Sequence, residues 1–460
     1  MIKLFSVYIP GRMVLLATSD TVVIASALVA TLAFGFPPGI SPRLAHEQAL
    51  LKITVACLVC LVCMYYYDLY ESQVFANLWE VITRLIQVVG TACLILALLY
   101  YAYPSVELNG GSLLLGFAMI GLFLIAWRKI FQTLNGLAQR TLVLGRGPLG
   151  SSLARELKDR PEFGMRLVGC LDEPPECGED GIAVDGADEL ERAMEVIEHA
   201  RASKVIVAME GCPGQPTLDL LQRLKRRGIK VENGADVYER VTGKTSFDSQ
   251  HMRGQVFSPG FQISRAMQFY KRLSSIVVSL TGILFTLPLM GLIALAIRLD
   301  SPGGAIFRQK RIGKGGKLFL LYKFRSMRIN ADADGVPRPA QENDERLTRV
   351  GGWLRKSRLD ELPQLYNILR GDMSLVGPRP FVPEQELVLA DQIPYYRNRW
   401  AVTSGATGWA QVHRGYCSTL EDNEEKLGYD LFYIRNMSLG LDFLILFQTF
   451  KILILGRGGR

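Results

Sequence analysis

The stretch Lys-Ser-Arg-Leu-Asp-Glu-Leu-Pro-Gln-Leu-Tyr-Asn-Ile-Leu-Arg-Gly-Asp-Met-Ser-Leu-Val-Gly-Pro-Arg-Pro at positions 356–380 carries most of the information in this chain. It places two adjacent carboxylates, Asp360 and Glu361, shortly before the rigid basic turn Gly-Pro-Arg-Pro at 377–380. An uncharged apolar stretch at 273–297 lies upstream. Paired carboxylates, a fixed arginine and an apolar segment together indicate chemistry on a phosphorylated substrate at a bilayer surface.

The two acids are predicted to lie near the N-terminus of a helix. Ser357 and Asp360 have the spacing of a capping box, and Pro363 suits a first helical turn. A carboxylate that stays ionised there can hold Mg²⁺ or attack a phosphorus atom. Neighbouring helical residues diverge by about 100°, so Asp360 and Glu361 are expected to have different roles. The alternative is an ordinary cap with one solvent-facing acid.

Basic residues near this pair are candidates for binding phosphate. Lys323 and Arg325 alternate as residues of a strand do, which predicts two cations on one face. Arg379 lies between Pro378 and Pro380, and these prolines restrict its backbone. Fixed cations bind a diphosphate and offset the charge that develops in its transition state. The alternative for Lys323 and Arg325 is a solvated surface position.

The composition indicates a membrane protein. Of 460 residues, 49% are hydrophobic, and the net charge is +8. Combined with apolar spans, this charge fits cytoplasmic loops and an anionic lipid surface better than nucleic acid. Cys57, Cys60 and Cys63 lie at helical spacing in an apolar run without a nearby histidine or carboxylate, so we interpret them as helix residues and not as metal ligands.

Residues 1–135 are predicted to form a bundle of four transmembrane helices. The apolar segments are at 13–35, 53–67, 85–103 and 112–127. Lys3, Arg12, Arg128 and Lys129 flank the outer ends, whereas the loop between the third and fourth segments carries only Glu107. This asymmetry places both ends of the bundle in the cytoplasm. Asp20 lies inside the first segment, where carboxylates are often functional. We favour the interpretation that it faces a neighbouring helix or lies near the interface.

Residues 139–245 are predicted to form a Rossmann-like α/β domain. A strand at 141–144 is followed by Gly145-Arg-Gly147-Pro-Leu-Gly150, and Asp172 ends a second strand. Further strands are predicted at 204–209 and 229–231, and helices at 151–158 and 217–226. The three glycines and Asp172 either bind a dinucleotide, or the glycines only permit a tight turn and close helix–strand packing.

After a linker at 246–270, the apolar stretch 273–297 is predicted to be a re-entrant membrane helix. Lys271 and Arg272 precede it, and several basic residues follow it, so both ends are expected in the cytoplasm. Pro288 would permit a bend. The hydroxyl of Thr286 or Ser279 would then bind a carbonyl that the bend frees. The alternative is a kinked helix that spans the bilayer.

Six ordered motifs complete the sequence evidence, at 298–303, 307–313, 323–327, 359–364, 371–380 and 407–411. With them the chain resembles the bacterial sugar transferase superfamily of polyprenyl-phosphate phosphoglycosyl transferases. It is most similar to the large monotopic type, which includes the undecaprenyl-phosphate glucose and galactose phosphotransferases that start exopolysaccharide or O-antigen synthesis. The resemblance implies a mainly α-helical, membrane-associated catalytic domain at 271–460.

The resemblance also implies a mechanism. Asp360 attacks a UDP-sugar, UMP leaves, and the resulting aspartyl phosphosugar passes to undecaprenyl phosphate. Mg²⁺ is the expected cofactor, with Asp360 as a ligand, and Glu361 positions the metal or activates the acceptor. The residues expected to bind substrate or its phosphates are Lys323, Arg325, Pro378, Arg379, Pro380 and Gln411. The catalytic domain is expected on the cytoplasmic face of a bacterial inner membrane, and the surplus N-terminal spans are compatible with a homodimer.

Two other classes of protein share part of this organisation. A membrane-anchored nucleotide-sugar dehydratase or epimerase would need a Tyr-x-x-x-Lys pair, and no tyrosine of this chain has a lysine four residues later. A membrane scaffold with a regulatory nucleotide-binding domain would describe residues 1–245, but not the acidic pair and its basic neighbours.

Overall fold

The computed structural model describes residues 2–34, 48–70, 78–103, 110–133, 138–145, 147–171, 194–209, 215–246, 264–329, 344–414 and 419–455. Their contacts define two units. The first contains Met1–Ile2 and Tyr8–Val237, and the second contains Lys3–Val7 and Tyr238–Arg460.

The first unit begins with a bundle of apolar helices after a short hairpin, β1 (Ile2–Leu4) and β2 (Val7–Ile9). The helices are α1 (Gly11–Phe34), α2 (Gln48–Tyr66), α3 (Leu78–Ala102) and α4 (Gly110–Thr133). Helices are therefore present at all four predicted positions. Within the described residues, Gly11–Ala30 and Trp79–Ala102 are long and apolar enough to cross a bilayer, and Leu50–Tyr66 is shorter. The four spans stay a prediction.

A buried ion pair joins the two ends of this bundle's sequence. Arg128 Nη2 donates to Asp20 Oδ2 at 2.8 Å, and Arg128 Nη1 donates to the Leu69 carbonyl at 2.7 Å. Both charged side chains are buried. Asp20 thus faces a neighbouring helix, as predicted. Arg128, in contrast, is not a solvated flanking charge, so it does not support the charge asymmetry on which the predicted topology partly rests.

The first unit continues into a four-stranded parallel sheet with strand order β4-β3-β5-β6. Its strands are β3 (Gln139–Leu144), β4 (Met165–Leu171), β5 (Lys204–Val207) and β6 (Lys230–Asn233). The helices are α5 (Pro148–Asp159), α6 (Gln215–Arg226) and α7 (Gly234–Thr242), and the longer segment of the second unit begins at Tyr238 within α7. Because each predicted strand and helix has a counterpart, the α/β prediction is confirmed for these elements.

The glycines of the β3–α5 turn are required by close packing. Gly145 has φ +109°, and a Cβ there would lie 2.6 Å from the Ala208 carbonyl oxygen. A Cβ on Gly150 would lie 2.0 Å from the Gly145 carbonyl oxygen. Gly147 immediately precedes α5. The packing interpretation therefore explains Gly145 and Gly150 without a ligand. Asp172 lies outside the described residues.

The second unit starts its helical part with α8 (Arg265–Asp300), a helix of 36 residues that contains Pro288. The helix continues through Pro288, and the re-entrant bend at this residue stays a prediction. The Thr286 hydroxyl donates to the Gly282 carbonyl and the Ser279 hydroxyl to the Ile276 carbonyl. The sequence predicted that Thr286 or Ser279 would bind a carbonyl freed near Pro288. The bonds that the structure shows for these hydroxyls are to carbonyls four and three residues earlier.

One face of α8 packs against the rest of the second unit along most of the helix. Ser275 and Ser279 near its start and Ile293 and Ile297 near its end are buried. The opposite face is apolar and exposed; Leu284, Phe285, Leu292 and Leu299 are 71%, 78%, 64% and 80% exposed. By length and composition α8 is also apolar enough to cross a bilayer, and the re-entrant arrangement stays a prediction.

The remaining elements of the second unit are short. They are β7 (Ile306–Ile312), β8 (Leu318–Phe324), α9 (Arg349–Lys356), α10 (Gln364–Arg370), β9 (Ser374–Val376), α11 (Pro383–Gln392), β10 (Gly405–Thr407), α12 (Trp409–His413), α13 (Leu420–Arg435) and α14 (Leu439–Ile454). β7 and β8 form an antiparallel hairpin, and β9 pairs in parallel with β10.

Residues 238–246 pack within the second unit, although the sequence assigned 238–245 to the α/β domain. Arg435 Nη1 donates to Glu239 Oε2 at 2.6 Å. The Trp409 indole donates to the Gly243 carbonyl at 2.9 Å. The second unit contains the predicted catalytic domain and is called the catalytic unit below. It also includes a segment that precedes the predicted linker.

We predict that Arg128→Met destabilises the first unit by about 3–5 kcal/mol, because it leaves the Asp20 carboxylate buried without its cationic partner. Thermal unfolding of the purified protein in detergent measures this loss. The double variant Asp20→Leu/Arg128→Met removes both charges and should recover most of the stability. A double variant as unstable as the single one would show that the pair is not the cause.

Candidate active site

The acidic pair lies on a short 3₁₀ turn, Leu359–Glu361, between α9 and α10. Arg358, just before this turn, has the left-handed φ of 59°, which is unusual for a residue with a side chain. Ser357 ends α9, and its hydroxyl donates to the Trp353 carbonyl at 2.9 Å. The predicted capping box is therefore wrong, because Ser357 caps the helix that precedes the acids.

Glu361 is held by two cations from different parts of the chain. Lys323 Nζ, on β8, donates to Glu361 Oε1 at 3.0 Å. Arg379 Nη2, in the Gly-Pro-Arg-Pro turn, donates to the same oxygen at 2.6 Å. The structure thus brings together three of the predicted site residues: Glu361, Lys323 and Arg379.

The neighbouring charges shift the pKa values of Glu361 and Lys323. Burial tends to raise the pKa of Glu361, but Arg379 and Lys323 outweigh it and hold that pKa well below its ordinary value. Burial lowers the pKa of Lys323, and the negative charge of Glu361 only partly opposes this. Glu361 is therefore held as an anion at neutral pH, paired with Arg379 and Lys323.

Asp360 is in a different environment. Its side chain is only 8% exposed, and no described residue donates a hydrogen bond to its carboxylate. Burial raises the pKa of Asp360, against the attraction of Lys323, while the charge of Glu361 raises it further. The sequence predicted that the surroundings would favour ionisation, and burial reverses that expectation. Asp360 and Glu361 therefore lie in different environments, as expected for neighbouring side chains that point in different directions.

Backbone contacts fix the turn that carries Arg379. Gly405 N–H donates to the Pro378 carbonyl at 2.9 Å, beside the β9–β10 pair. Arg311 Nη1 donates to the Pro380 carbonyl at 3.1 Å. The two prolines therefore hold the turn through their carbonyl oxygens as well as through their rings.

A buried charged cluster lies behind the same turn. Arg399 Nη2 donates to the Arg379 carbonyl at 2.9 Å, and Arg399 Nε donates to Asp430 Oδ2 at 2.8 Å. Glu386 and Tyr396 complete the group, since Arg399 Nη1 contacts both side chains. Arg399 was not singled out in the sequence, because no motif marks it and its partners are distant along the chain.

A small cleft opens beside Arg379. It has about 220 Å³ of empty space, open solvent included, and is lined by Arg311, Leu321, Lys323, Gln364, Met373, Arg379, Pro380 and Gly405. Gln364 is 3% exposed, and its buried Nε2 has no hydrogen-bond acceptor among the described residues. Arg311 and Gln364 were not predicted as site residues. They lie in the motifs at 307–313 and 359–364, and these motifs could have identified them.

Two predicted phosphate ligands bind protein groups instead. Arg325 follows the end of β8, and its Nη atoms donate to the carbonyls of Ser301 and Pro302 at the end of α8. Arg325 therefore caps the C-terminus of α8. The sequence predicted that Arg325 and Lys323 would present their charges on one face, and the contacts of Arg325 do not show this. Gln411 Nε2 donates weakly to the Ala406 carbonyl at 3.4 Å, and Gln411 does not line the cleft.

The metal prediction rests on Asp360. Among the described residues, no three His, Cys, Asp or Glu side chains are grouped as metal ligands. Mg²⁺ commonly binds one or two carboxylates together with substrate phosphates and water. A carboxylate that accepts no hydrogen bond from the described part of the chain fits that coordination, so Asp360 is compatible with the expected ion.

Comparisons with known proteins agree with this arrangement. A family model described as "Bacterial sugar transferase" matches residues 266–456. This region contains both acids, the basic turn and the hairpin. A second model, described as "CoA-binding domain", matches residues 66–233, which include the parallel sheet.

Several curated proteins are similar in sequence. The UDP-N-acetylgalactosamine-undecaprenyl-phosphate N-acetylgalactosaminephosphotransferase of Aeromonas hydrophila is 41% identical over 244 residues, which cover 52% of this chain and 56% of that protein. The UDP-glucose:undecaprenyl-phosphate glucose-1-phosphate transferase of Escherichia coli (strain K12) is 35% identical over 309 residues, 65% of this chain and 64% of that protein. The matches thus span just over half to about two thirds of these relatives.

A third relative extends further. The UDP-glucose:undecaprenyl-phosphate glucose-1-phosphate transferase of Klebsiella pneumoniae is 31% identical over 345 residues, which cover 73% of this chain and 72% of that protein. The fold and the site define a protein with apolar helices, a buried Asp360, and a neighbouring Glu361 held by two cations. The chain belongs to the bacterial sugar transferase family, of the polyprenyl-phosphate type.

Replacing each acid by its amide should change stability in opposite directions. Because burial raises the pKa of Asp360, ionising it destabilises the folded state, so Asp360→Asn should raise the melting temperature at neutral pH. This gain should vanish as the pH falls below 3.8, the ordinary value. Glu361→Gln weakens two ionic hydrogen bonds and should cost roughly 1–3 kcal/mol.

The sign for Glu361 follows from its depressed pKa. Its stabilisation is present above the ordinary value of 4.5 and is lost as the pH falls through the lower folded pKa, so the deficit of Glu361→Gln should shrink in acid. Melting curves recorded from neutral pH downward measure both variants. Shifts of the same sign for the two variants would contradict the different environments of the acids.

Proposed function

We propose that this protein transfers a sugar-1-phosphate from a UDP-sugar to polyprenyl (undecaprenyl) phosphate and so starts exopolysaccharide or O-antigen synthesis. The observation that carries the proposal is the position of Asp360. It is a buried carboxylate that accepts no hydrogen bond from a described residue, next to a glutamate paired with Lys323 and Arg379. Similarity to transferases whose names specify undecaprenyl phosphate supports the acceptor.

In the first step, an oxygen of Asp360 attacks the phosphorus next to the sugar. A bond forms between this oxygen and phosphorus, the bond to the bridging oxygen breaks, and UMP leaves with that electron pair. The product is an aspartyl phosphosugar. Burial of Asp360 favours this role, because a poorly solvated carboxylate is a better nucleophile than a hydrated one.

In the second step, a phosphate oxygen of the polyprenyl phosphate attacks the same phosphorus. The bond to Asp360 breaks, the carboxylate is regenerated, and a polyprenyl-diphospho-sugar is released. Covalent catalysis thereby divides one transfer between a water-soluble donor and a lipid acceptor into two separate steps.

The residues around Asp360 supply positive charge and hydrogen bonds. Arg379 and Lys323 contact Glu361 and also face the cleft, so both can offset charge on the transferred phosphate. The Nε2 of Gln364, which has no acceptor among the described residues, is a further donor for a phosphate oxygen. Mg²⁺, held by Asp360 and substrate phosphates, would neutralise the donor diphosphate. Glu361 would position the metal or the acceptor through the cations that it holds.

The membrane placement belongs to the same proposal. The exposed apolar face of α8 would enter the cytoplasmic leaflet of a bacterial inner membrane, with both helix ends on the cytoplasmic side, as in a re-entrant segment. Contacts near both ends of α8 with the catalytic unit support this arrangement over a single crossing. Helices α1 to α4 would span the same membrane. A homodimer remains a separate prediction.

The direct test is the release of UMP. Wild-type protein is incubated with a panel of UDP-sugars, with and without polyprenyl phosphate, and compared with Asp360→Asn. We expect the variant to lose at least about 10³-fold in rate with every donor, because it has no nucleophile. Asp391→Asn makes the same chemical change at an exposed carboxylate and serves as the control. Wild-type turnover by Asp360→Asn would overturn the assignment of the nucleophile.

A second test concerns the support of Arg379. Arg399→Lys keeps the charge but cannot bind Asp430, Glu386 and the Arg379 carbonyl together, so the turn should shift. We expect kcat/KM for the donor to fall roughly 10- to 100-fold, since small misplacements of a substrate-binding group have effects of this size. Steady-state kinetics of UMP release measure the change.

Tyr396→Phe is the matched control for Arg399→Lys. It removes a hydroxyl from the same buried cluster but leaves the hydrogen bond from Arg399 to the Arg379 carbonyl intact. It should lower stability by about 1 kcal/mol with kcat/KM close to wild type. Equal kinetic losses in both variants would show that the cluster acts only through overall stability.

A further inference from the structure

The hairpin of β7 and β8 has two faces with different surroundings. In its register, Arg308 pairs with Tyr322 and Lys310 with Leu320, so these four side chains share one face. The alternate residues Arg311, Leu321 and Lys323 lie on the other face and line the cleft. One side of the hairpin therefore serves the site, and the outward side is not used by the proposed chemistry.

The outward side combines basic and apolar groups. Arg308 and Lys310 are exposed, and neither forms an ion pair with a described acid. Leu318 and Leu320 on the same face are 59% and 42% exposed. The residues from 306 to 324 include six basic residues and no acidic one. We call the face formed by Arg308, Lys310, Leu318, Leu320 and Tyr322 the basic–apolar face.

Aromatic contacts extend this face onto the neighbouring helix. The rings of Tyr322 and Tyr366 lie edge to face with centroids 5.6 Å apart, and the Arg308 guanidinium lies 5.8 Å from the Tyr322 centroid. Asn367, next to Tyr366 on α10, bonds the backbone of Tyr322 and Leu320. The tyrosines are therefore held at the surface by a fixed backbone pairing, as interfacial side chains require.

From this juxtaposition we propose that the basic–apolar face binds the anionic headgroup surface of a lipid bilayer. Basic side chains interleaved with leucine and tyrosine match a surface that is negatively charged and borders hydrocarbon. The hairpin also begins where the exposed apolar helix α8 ends, with Leu299 and Ile306 both exposed. Such contact would orient the opposite face of the hairpin, with Lys323 and Arg311, relative to the membrane. The proposal does not depend on the transfer reaction.

Chemical labelling of Lys310 tests the proposal. Full-length protein is placed in nanodiscs of phosphatidylcholine, or of phosphatidylcholine with phosphatidylglycerol, without substrates. Lysine acetylation is then measured by mass spectrometry. We expect phosphatidylglycerol to protect Lys310 but not the exposed Lys356, and we expect high salt to remove the protection.

Variants separate the lipid contact from other causes. Arg308→Gln should reduce the protection of Lys310 about fivefold, the effect of one basic residue near an anionic surface. Leu320→Ser should also reduce it. Arg397→Gln, a matched change at an exposed arginine outside the hairpin, should not. An unchanged melting temperature and an unchanged Lys356 reactivity show that the variants are folded.

Three outcomes would overturn the proposal. The first is equal labelling of Lys310 in the two lipid mixtures. The second is a loss of protection with Arg397→Gln as large as that with Arg308→Gln. The third is protection in both lipids that disappears on dilution of the discs, which would assign the face to a second copy of the protein.

Discussion

The ion pairs of Glu361 with Lys323 and Arg379 are the interaction on which the rest of the catalytic unit depends. A carboxylate as enclosed as this one is costly unless cations accompany it, and Lys323 and Arg379 come from segments more than fifty residues apart. The hairpin, the 3₁₀ turn and the proline-flanked turn must therefore be assembled together before any of the three charges is satisfied. Asp360 takes its position from this assembly and remains the one member of the group that accepts no hydrogen bond from a described residue.

The two adjacent acids are buried to different degrees and have different partners, and they therefore have different roles. Glu361 cannot be protonated near neutral pH and has its charge cancelled, so it serves as a structural and electrostatic anchor. Asp360 carries the energetic cost of burial, which makes it reactive toward an electrophile. Active sites commonly accept such a local loss of stability in exchange for reactivity. The buried cluster around Arg399 supplies compensating contacts on the far side of Arg379.

Much of the fold could be predicted from periodicity, because the helices and strands of the first unit follow uninterrupted apolar patterns bounded by glycine and proline. The acidic pair and Arg379 could be identified because their spacing is local. The role of Ser357 could not, since a serine between two helical segments can cap either one. The sequence did not predict the carbonyl partners of Arg325, and it did not single out Arg399. Whether an arginine binds a carbonyl, an acid or a substrate depends on its tertiary neighbours, which the sequence does not show.

Pro288 alone does not determine the course of α8. The helix continues through the proline while one face stays packed against the catalytic unit, and the bend stays a prediction. That packing, and not the proline, determines which side of the helix is available to lipid. The outward apolar face and the basic–apolar face of the hairpin then come from the same polypeptide segment.

The segment 238–246 has a consequence for the ancestry of such multidomain enzymes. The matched family region begins at residue 266, yet the Trp409 indole and the Arg435 guanidinium find acceptors at Gly243 and Glu239. A gene rearrangement that moved only the matched region into another protein would strip both side chains of those acceptors. The segment that would have to move together is therefore longer than the matched region. A lineage that lost the preceding domains would need replacements for these two contacts.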